Sequence, residues 1–297
     1  MKMELHPVWD KVDGILVINL DTSVERFENF KRSNAETLPM DKVRRLSAVM
    51  GRNLPTYGKA PWFTERTMER APFWGGTAGC AVSHRHAIAR AKAEGWRNVL
   101  IMEDDAVTGD NADALTLFDY ALRNLTGDYM LYLGYSRPTP YGTCVKAAGE
   151  HALWKVEGVL STYAYLIPQS MYDRLLAIMP TEDNVWEWIS IHRAVDSFYR
   201  DTAAALPGVK VYAIQPDLVE HVDGQSDIGC VVTRTDTYDR VQTPHSYASL
   251  AGVLHVLSSP FRRLKVKLNS IRTHRRALRG GLPGFRKRRQ KTENKQK

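Results

Sequence analysis

Short continuous apolar runs alternate along this chain with stretches of helical periodicity. Gly14-Ile-Leu-Val-Ile-Asn-Leu-Asp21 is an apolar run that ends in polar residues, which predicts a strand buried on both faces. Thr22 to Lys31 follows as a helix that Ser23 can cap and that carries Phe27 and Phe30. A second strand is expected around Val43 to Val49. Cys80, His84, Ala87, Ile88 and Ala91 recur at helical spacing, so a helix should end near Gly95 and feed a strand over 98–103. Further on, the pattern predicts a helix from Ala112 to Asn124, a strand from Tyr129 to Leu133, and loop with short strands over 135–158. A strand over Tyr163 to Ile167 then leads into a helix from Gln169 to Met179. Trp186, Trp188 and Ile189 precede a helix around Ala194 to Tyr199, and Val209 to Ile214 is a late strand. Strand, polar turn, helix at the N-terminus is the first half of a nucleotide-binding βαβ unit, so the class is α/β.

One junction carries more chemistry than the others. Val99-Leu-Ile-Met102 runs straight into Glu103, Asp104 and Asp105. Open α/β sheets bind ligands beyond the carboxyl ends of their strands, where these carboxylates would stand. Three adjacent carboxylates repel one another, so a cation is expected close by. A hard divalent ion with oxygen ligands, Mg²⁺ or Mn²⁺, is the natural partner, and it would bring a diphosphate with it. The plain alternative is a strand end followed by a solvated acidic turn. Residues 51–78 are rich in Gly, Pro and aromatic residues and read as a long irregular connection, the kind of segment that forms lids. Trp62 and Trp74 are poorly suited to full solvation. Sugar faces stack well on aromatic rings, so both are candidates for an acceptor-binding lid.

Several blocks together resemble a known family. "VINLDTSVERFENFKR" at 17–32, "GCAVSHRHAIARAKAEGWRNVLIMEDDA" at 79–106, "DYMLYLG" at 128–134 and "TYAYLIPQSMYDRLL" at 162–176 occur in that order, followed by "AVDSFYRD" and "VYAIQPDLVEHVDGQSDI". They are similar to the signature blocks of glycosyltransferase family 25, the lipooligosaccharide-type galactosyltransferases, over roughly residues 12 to 230. The resemblance implies a GT-A-like nucleotide-binding fold, a nucleotide-sugar donor (usually UDP-galactose) and inversion at the anomeric carbon. It places Glu103-Asp-Asp105 at the acidic "DXD" position. Asp105 is then expected to ligate the ion directly, while Glu103 or Asp104 works through water or contacts the ribose. His221 is the expected third metal ligand, giving a set of Glu103, Asp105 and His221, with a solvated or capping histidine as the alternative. Asn19 and Asp21 end the first strand, where uracil and ribose would bind, and Arg26 can meet a phosphate or form a salt bridge on a solvated helix face. Ser83 and His84 match the family's "SH" pair and join Asp104 in the donor site, although His84 also suits an apolar helix face. Asp196 matches the family's recurrent acid and is the first candidate for general base, with Asp223 and Asp227 as rivals and a helix N-cap as its alternative role.

Composition changes this picture only at the C-terminus. From Arg262 to Lys297 there are 15 Lys and Arg and one acid, so this tail carries +14, while the other 261 residues carry −6. Phe261, Leu264, Leu268, Ile271 and Leu278 follow helical spacing among Arg and Lys, a basic amphipathic helix suited to an anionic membrane surface. Docking of that stripe on the catalytic domain and non-specific nucleic-acid binding are the alternatives. Gly280-Gly-Leu-Pro-Gly284 should break the helix, and 286–297 has a disordered composition. The expected division is a GT-A-like catalytic domain over 1–258 and a tail over 259–297. Cys80, Cys144 and Cys230 form neither a disulfide framework nor a metal-binding spacing. No apolar run is long enough for a membrane span or signal peptide, so the expectation is a cytoplasmic enzyme, peripheral at the inner face of the bacterial membrane.

The reaction read from these features is metal-dependent inverting transfer of a hexose, galactose in first place. The donor is a UDP-sugar and the acceptor a glycan or glycolipid of a lipopolysaccharide, lipooligosaccharide or other surface polysaccharide. No specific nucleic acid is expected as a partner. Two rivals remain: a catalytically inactive protein of the same fold that binds through its tail, and a sugar nucleotidyltransferase. The latter needs a Gly-rich phosphate loop after the first strand, where this chain has "NLDTSVER" without glycine.

Overall fold

The computed structural model describes residues 5–222 and 243–284, and by backbone alone 224–225 and 232–233. Asp223, Asp227, Cys230 and the tail beyond 284 lie outside the described residues. The N-terminal unit is β1 (Gly14–Asn19), α1 (Val24–Ser33) and β2 (Val43–Ser47). After α2 (Glu65–Met68), the long α3 (Ala71–Ala93) leads into β3 (Asn98–Glu103), β4 (Ala106–Thr108) and α4 (Ala112–Asn124). Next come β5 (Tyr129–Gly134), β6 (Arg137–Pro138), β7 (Tyr141–Ala148), β8 (His151–Val156), β9 (Val159–Leu160) and β10 (Ala164–Pro168). Three short helices follow, α5 (Tyr172–Leu176), α6 (Val185–His192) and α7 (Val195–Asp201), then β11 (Lys210–Gln215) and β12 (Val219–His221). The pair β13 (Gly224–Gln225) and β14 (Val232–Thr233), then β15 (His245–Ser246) and α8 (Leu250–Gly280), complete the order.

Nine strands make one twisted sheet in the order β15-β7-β8-β11-β5-β10-β3-β1-β2. β2, β1 and β3 are parallel, as the sequence pattern requires. β10 runs antiparallel to both β3 and β5, so the sheet is mixed where the acidic strand was expected to lie within a parallel one. Strand alternation builds two cores. Leu16, Ile18, Val99 and Ile101 face α3 and the short helices α5–α7, while Ile15, Val17, Leu100 and Met102 face α4 and Phe30 of α1. Both faces are covered, which is why these strands read as unbroken apolar runs.

Two elements differ from the pattern-based expectation. Residues 71–78, expected as irregular connection, are the first two turns of α3, which starts with Pro72 in its first turn. The glycines that made the segment look like loop serve packing: a Cβ at Gly79 would lie 2.2 Å from the Val49 carbonyl oxygen. The second difference is α8. It begins at Leu250, so a boundary at 258/259 falls inside a helix. Its C-terminal end belongs to the main core through Ala277 and Leu282. His274 Nδ1 meets Ser190 Oγ at 2.7 Å, and Leu282 N donates to the Trp62 carbonyl at 2.6 Å. Docking uses His274, Ala277 and the following Leu282, so the stripe Phe261, Leu264, Leu268 and Ile271 is left exposed.

Candidate functional site

The parallel register places the carboxyl ends of β1, β2 and β3 side by side: Asn19 pairs with Ser47, and Ile18 with Glu103. A cavity of about 570 Å³ opens over these ends. It is lined by Asn19, Arg26, Ser83, His84, Glu103, Asp104 and Asp105, together with Arg52, Tyr57 and Cys80. This is the size of a pocket for a nucleotide-sized ligand.

The polar network under the cavity is nearly closed. Asn19 is buried; its Nδ2 donates to Asp104 Oδ2 at 2.6 Å and to the Ser23 carbonyl at 3.0 Å, and its Oδ1 accepts from Arg45 Nε at 2.7 Å. Asp21 is exposed and accepts from Arg45 at 2.7 Å and Ser47 Oγ at 2.6 Å, contacts that hold its pKa below the usual value, Ser47 first. Arg26 reaches back from α1 with Nε 2.9 Å from Asp104 Oδ1, a second bond from Nη2 to the same oxygen, and Nη2 3.0 Å from Asp105 Oδ2. Burial alone would lower its pKa, but Asp104 and then Asp105 raise it. Both Asp104 oxygens are therefore engaged by protein groups, so Asp104, expected to touch the donor, acts here as the anchor of Arg26 and Asn19.

Asp105 faces a different set of partners. β12 pairs with β4 in antiparallel register, Val222 N donates to the Asp105 carbonyl at 2.9 Å, and His221 is carried to Asp105 Oδ2 at 3.1 Å. Burial pushes the Asp105 pKa up, but His221 and Arg26 prevail and hold it below the usual carboxylate value. Burial lowers and Asp105 raises the His221 pKa, with a net increase. Asp105 Oδ1 is buried and has no hydrogen-bond partner among the described residues. A lone carboxylate oxygen is open to a hard cation, but among the described residues the ligand atoms of Glu103, Asp105 and His221 do not converge within reach of one ion.

The "SH" pair divides. Ser83 Oγ donates to the Gly79 carbonyl at 2.7 Å and accepts from Val49 N at 2.8 Å, which clamps the segment after β2 onto α3. His84 is fully buried, with Nδ1 2.9 Å from the Tyr165 hydroxyl and Nε2 3.9 Å from Glu103 Oε1. Cys80, His84 and Glu103 form a group whose potential ligand atoms lie within 4.8 Å of one another, and such a group can hold a metal ion. It differs from the expected set of Glu103, Asp105 and His221. Burial, then the charges of Glu103, Asp196 and Asp105, keep the Cys80 thiol protonated well above its ordinary range.

Asp196 lies in the first turn of α7, whose N-cap is Ala194, so Asp196 is not the N-cap. It is not among the residues lining the cavity, but its charge acts on Cys80, which is. Trp74 does not face this cavity. It is buried, donates from Nε1 to the Pro283 carbonyl at 3.1 Å, and borders a second cavity of about 390 Å³ that includes His192, Arg193 and Arg200. Trp62 packs at 6.3 Å from the His274 ring. The expected lid role for these two rings gives way to docking of α8, because α8 supplies the apolar cover that large rings need.

Sequence reasoning missed Arg45, Ser47, Arg52, Tyr57 and Cys80. Arg45 and Ser47 alternate on β2 and point to the site side, a period-2 signal that was legible; Arg52 sits in a connection without periodicity.

The family match falls on the part of the molecule that holds this cavity. Residues 12–136 match the model of glycosyltransferase family 25 (LPS biosynthesis protein). This segment contains β1 to β5 and the residues named above as lining the 570 Å³ cavity, and it covers the first three of the sequence blocks that carry the family resemblance. No curated protein matches the chain. Among solved structures, a mannose-1-phosphate geranyltransferase from Thermus thermophilus aligns at 14% identity over 68% of this chain and 74% of its own, with a TM-score of 0.33. A197 from STIV aligns at 10% identity over 78% and 98%, with a TM-score of 0.36. A glycosyltransferase involved in glycosylation of the major capsid of PBCV-1 aligns at 12% identity over 73% and 95%, with a TM-score of 0.34.

Proposed function

We propose that this chain is an inverting, metal-dependent hexosyltransferase of glycosyltransferase family 25. It would move a sugar, galactose in first place, from a UDP-sugar to a glycan or glycolipid acceptor of lipopolysaccharide or lipooligosaccharide. The observation that carries this reading is the cavity over β1, β2 and β3, with the Glu103-Asp104-Asp105 triplet at its base, inside the segment that matches the family. Such a site lies where open α/β sheets bind nucleotides.

Asn19, fixed by Arg45 and Asp104, would meet the base, and Asp21, which is outside the cavity lining, would reach the ribose only from its rim. Arg26 and the exposed Arg52 offer positive charge to the diphosphate. Glu103, Asp105 and His221 are the residues that would hold Mg²⁺ or Mn²⁺; bound there, the ion neutralises charge on the leaving diphosphate. The acceptor hydroxyl attacks the anomeric carbon from the face opposite the diphosphate. Its proton passes to the Asp196 carboxylate, the glycosidic bond forms, and UDP leaves with the electron pair of the broken C–O bond. The exposed apolar stripe of α8, flanked by Arg263, Lys265, Lys267 and Arg272, supports peripheral attachment to an anionic membrane at the cytoplasmic face, where a lipid-linked acceptor would reside. Among the described residues no helix is long and apolar enough to cross a membrane.

The test is turnover of a panel of UDP-, GDP-, CMP- and ADP-sugars by the purified chain, with Mn²⁺ or with EDTA. Slow metal-dependent hydrolysis of one UDP-hexose is expected. Hydrolysis of a non-uridine donor, or of none with the protein folded, would overturn the reading.

A further inference from the structure

His84 stands at the end of a chain of buried hydrogen-bonding side chains. The Tyr199 hydroxyl donates to Met179 Sδ at 3.6 Å, and it also meets the Tyr165 hydroxyl at 3.0 Å. Each hydroxyl has one proton. With the Tyr199 proton on sulfur, Tyr165 must donate to Tyr199, and the Tyr165 oxygen then accepts from His84 Nδ1–H at 2.9 Å. The remaining ring nitrogen, Nε2, is thus the bare one. It is buried, has no hydrogen-bond partner among the described residues, and points toward Glu103 at 3.9 Å. Cys80 sits one helical turn earlier on α3, so the i and i+4 side chains share a face. Glu103, Asp105 and Asp196 all act electrostatically on the Cys80 sulfur, which makes this wall of the cavity strongly attractive to a cation.

We infer that Cys80, His84 and Glu103 form a binding site for a thiophilic divalent cation of the Zn²⁺ class. One sulfur, one imidazole nitrogen and one carboxylate oxygen match the preferences of that ion and not those of Mg²⁺, which takes oxygen. Zn²⁺ holds such atoms at about 2.0–2.3 Å in a tetrahedron, so ligand pairs close to about 3.3–3.7 Å. The present separations, at most 4.8 Å, must shrink by about 1 Å, a movement in which the partly exposed Glu103 takes part. Binding exchanges the thiol proton for the ion: the proton leaves to solvent and the sulfur becomes a thiolate ligand. The Tyr165 bond to Nδ1–H supplies the outer-shell support typical of metal-bound histidines. On the donor-site reading above, on which only this consequence rests, the ion takes Glu103 from the hard-metal set and so competes with donor binding.

Co²⁺ replaces Zn²⁺ as a visible probe. The full chain is titrated with Co²⁺ without nucleotide, and the sulfur-to-cobalt charge-transfer band is recorded. One equivalent should bind with that band. Cys80→Ser should abolish the band, while a Cys144→Ser/Cys230→Ser variant keeps it. Tyr165→Phe, which removes the outer-shell acceptor together with the bond to Tyr199 and leaves all three metal-binding atoms, should weaken Co²⁺ binding roughly ten-fold. A band that survives Cys80→Ser, or no band in the unaltered chain, overturns the site. A second measurement needs no variant: at a pH raised until Cys80 of the metal-free chain is alkylated, Zn²⁺ should protect Cys80 from iodoacetamide while the exposed Cys144 still reacts. Equal labelling of Cys80 with and without Zn²⁺ contradicts the proposal. UDP binding, measured separately without Co²⁺, reports on the donor reading alone, so the two can fail independently.

Discussion

Asp104 and Asp105 are neighbours in the chain but answer to different partners. Asp104 is closed off by Asn19 and Arg26, whereas Asp105 shares one oxygen between Arg26 and His221 and leaves the other without a partner among the described residues. Arg26 therefore holds two largely buried carboxylates in place. Arg26→Ala should cost about 2–3 kcal/mol of stability, read by urea denaturation, because it leaves Asp104 buried without its cation. Arg26→Lys should recover only part of this, since an ammonium cannot reproduce the forked contact. No loss in Arg26→Ala would mean that water serves these carboxylates as well. A second residue-scale expectation concerns Asp217, whose pKa burial raises to about 6 against an ordinary 3.8, with Tyr163 donating to it at 3.0 Å. The folded chain binds that proton more tightly than the unfolded one. The contribution of this group is thus complete below pH about 4 and is lost as pH rises through 6. Asp217→Asn should stabilise the protein by about 1–3 kcal/mol at pH 8 and by almost nothing at pH 4; equal effects at both would place the carboxylate in water. The positions of the triplet, Asn19, Arg26 and His84 around the cavity were legible in the sequence because they follow strand ends or helix periodicity. Their division of labour was not, since it depends on Arg45 and on which oxygen each group reaches.

At the scale of elements, β1, α1, β3, α4 and β5 emerged almost to the residue from apolar runs and helical spacing. Where the reading failed, tertiary contacts had overridden composition. Gly75 and Gly79 look like loop residues, yet they sit in α3 because the backbone at Val49 and Gly51 lies directly against that helix. Gly79→Ala would set a methyl against the Val49 carbonyl and push the segment that lines the cavity. A loss of about 2 kcal/mol or more is expected, with a weaker donor KM as the companion effect. An unchanged melting temperature would show that α3 and this segment can separate freely. The reversed β10 was invisible for another reason. A buried strand reads the same in either direction, and only the length of the β5–β10 connection, occupied by the β7–β8 hairpin, permits the reversal.

At the scale of the molecule, charge and apolar surface are separated. The body is mildly acidic and the C-terminus strongly basic, and α8 joins them by docking at its far end while exposing Phe261, Leu264, Leu268 and Ile271. The full chain should float with vesicles that contain anionic lipid and stay behind with neutral ones. Phe261→Ser/Leu264→Ser should weaken flotation several-fold without changing the melting temperature, because these side chains touch little protein. Flotation with both lipid types, or with neither, would remove the membrane role. The central claim, however, is that the cavity over β1, β2 and β3 is the donor site. The most direct measurement is calorimetric titration of UDP with Mn²⁺ into the unaltered chain and into Asp105→Asn. One site in the former and none in a folded Asp105→Asn is the expected result; equal binding by both, or no binding by either, would contradict the account.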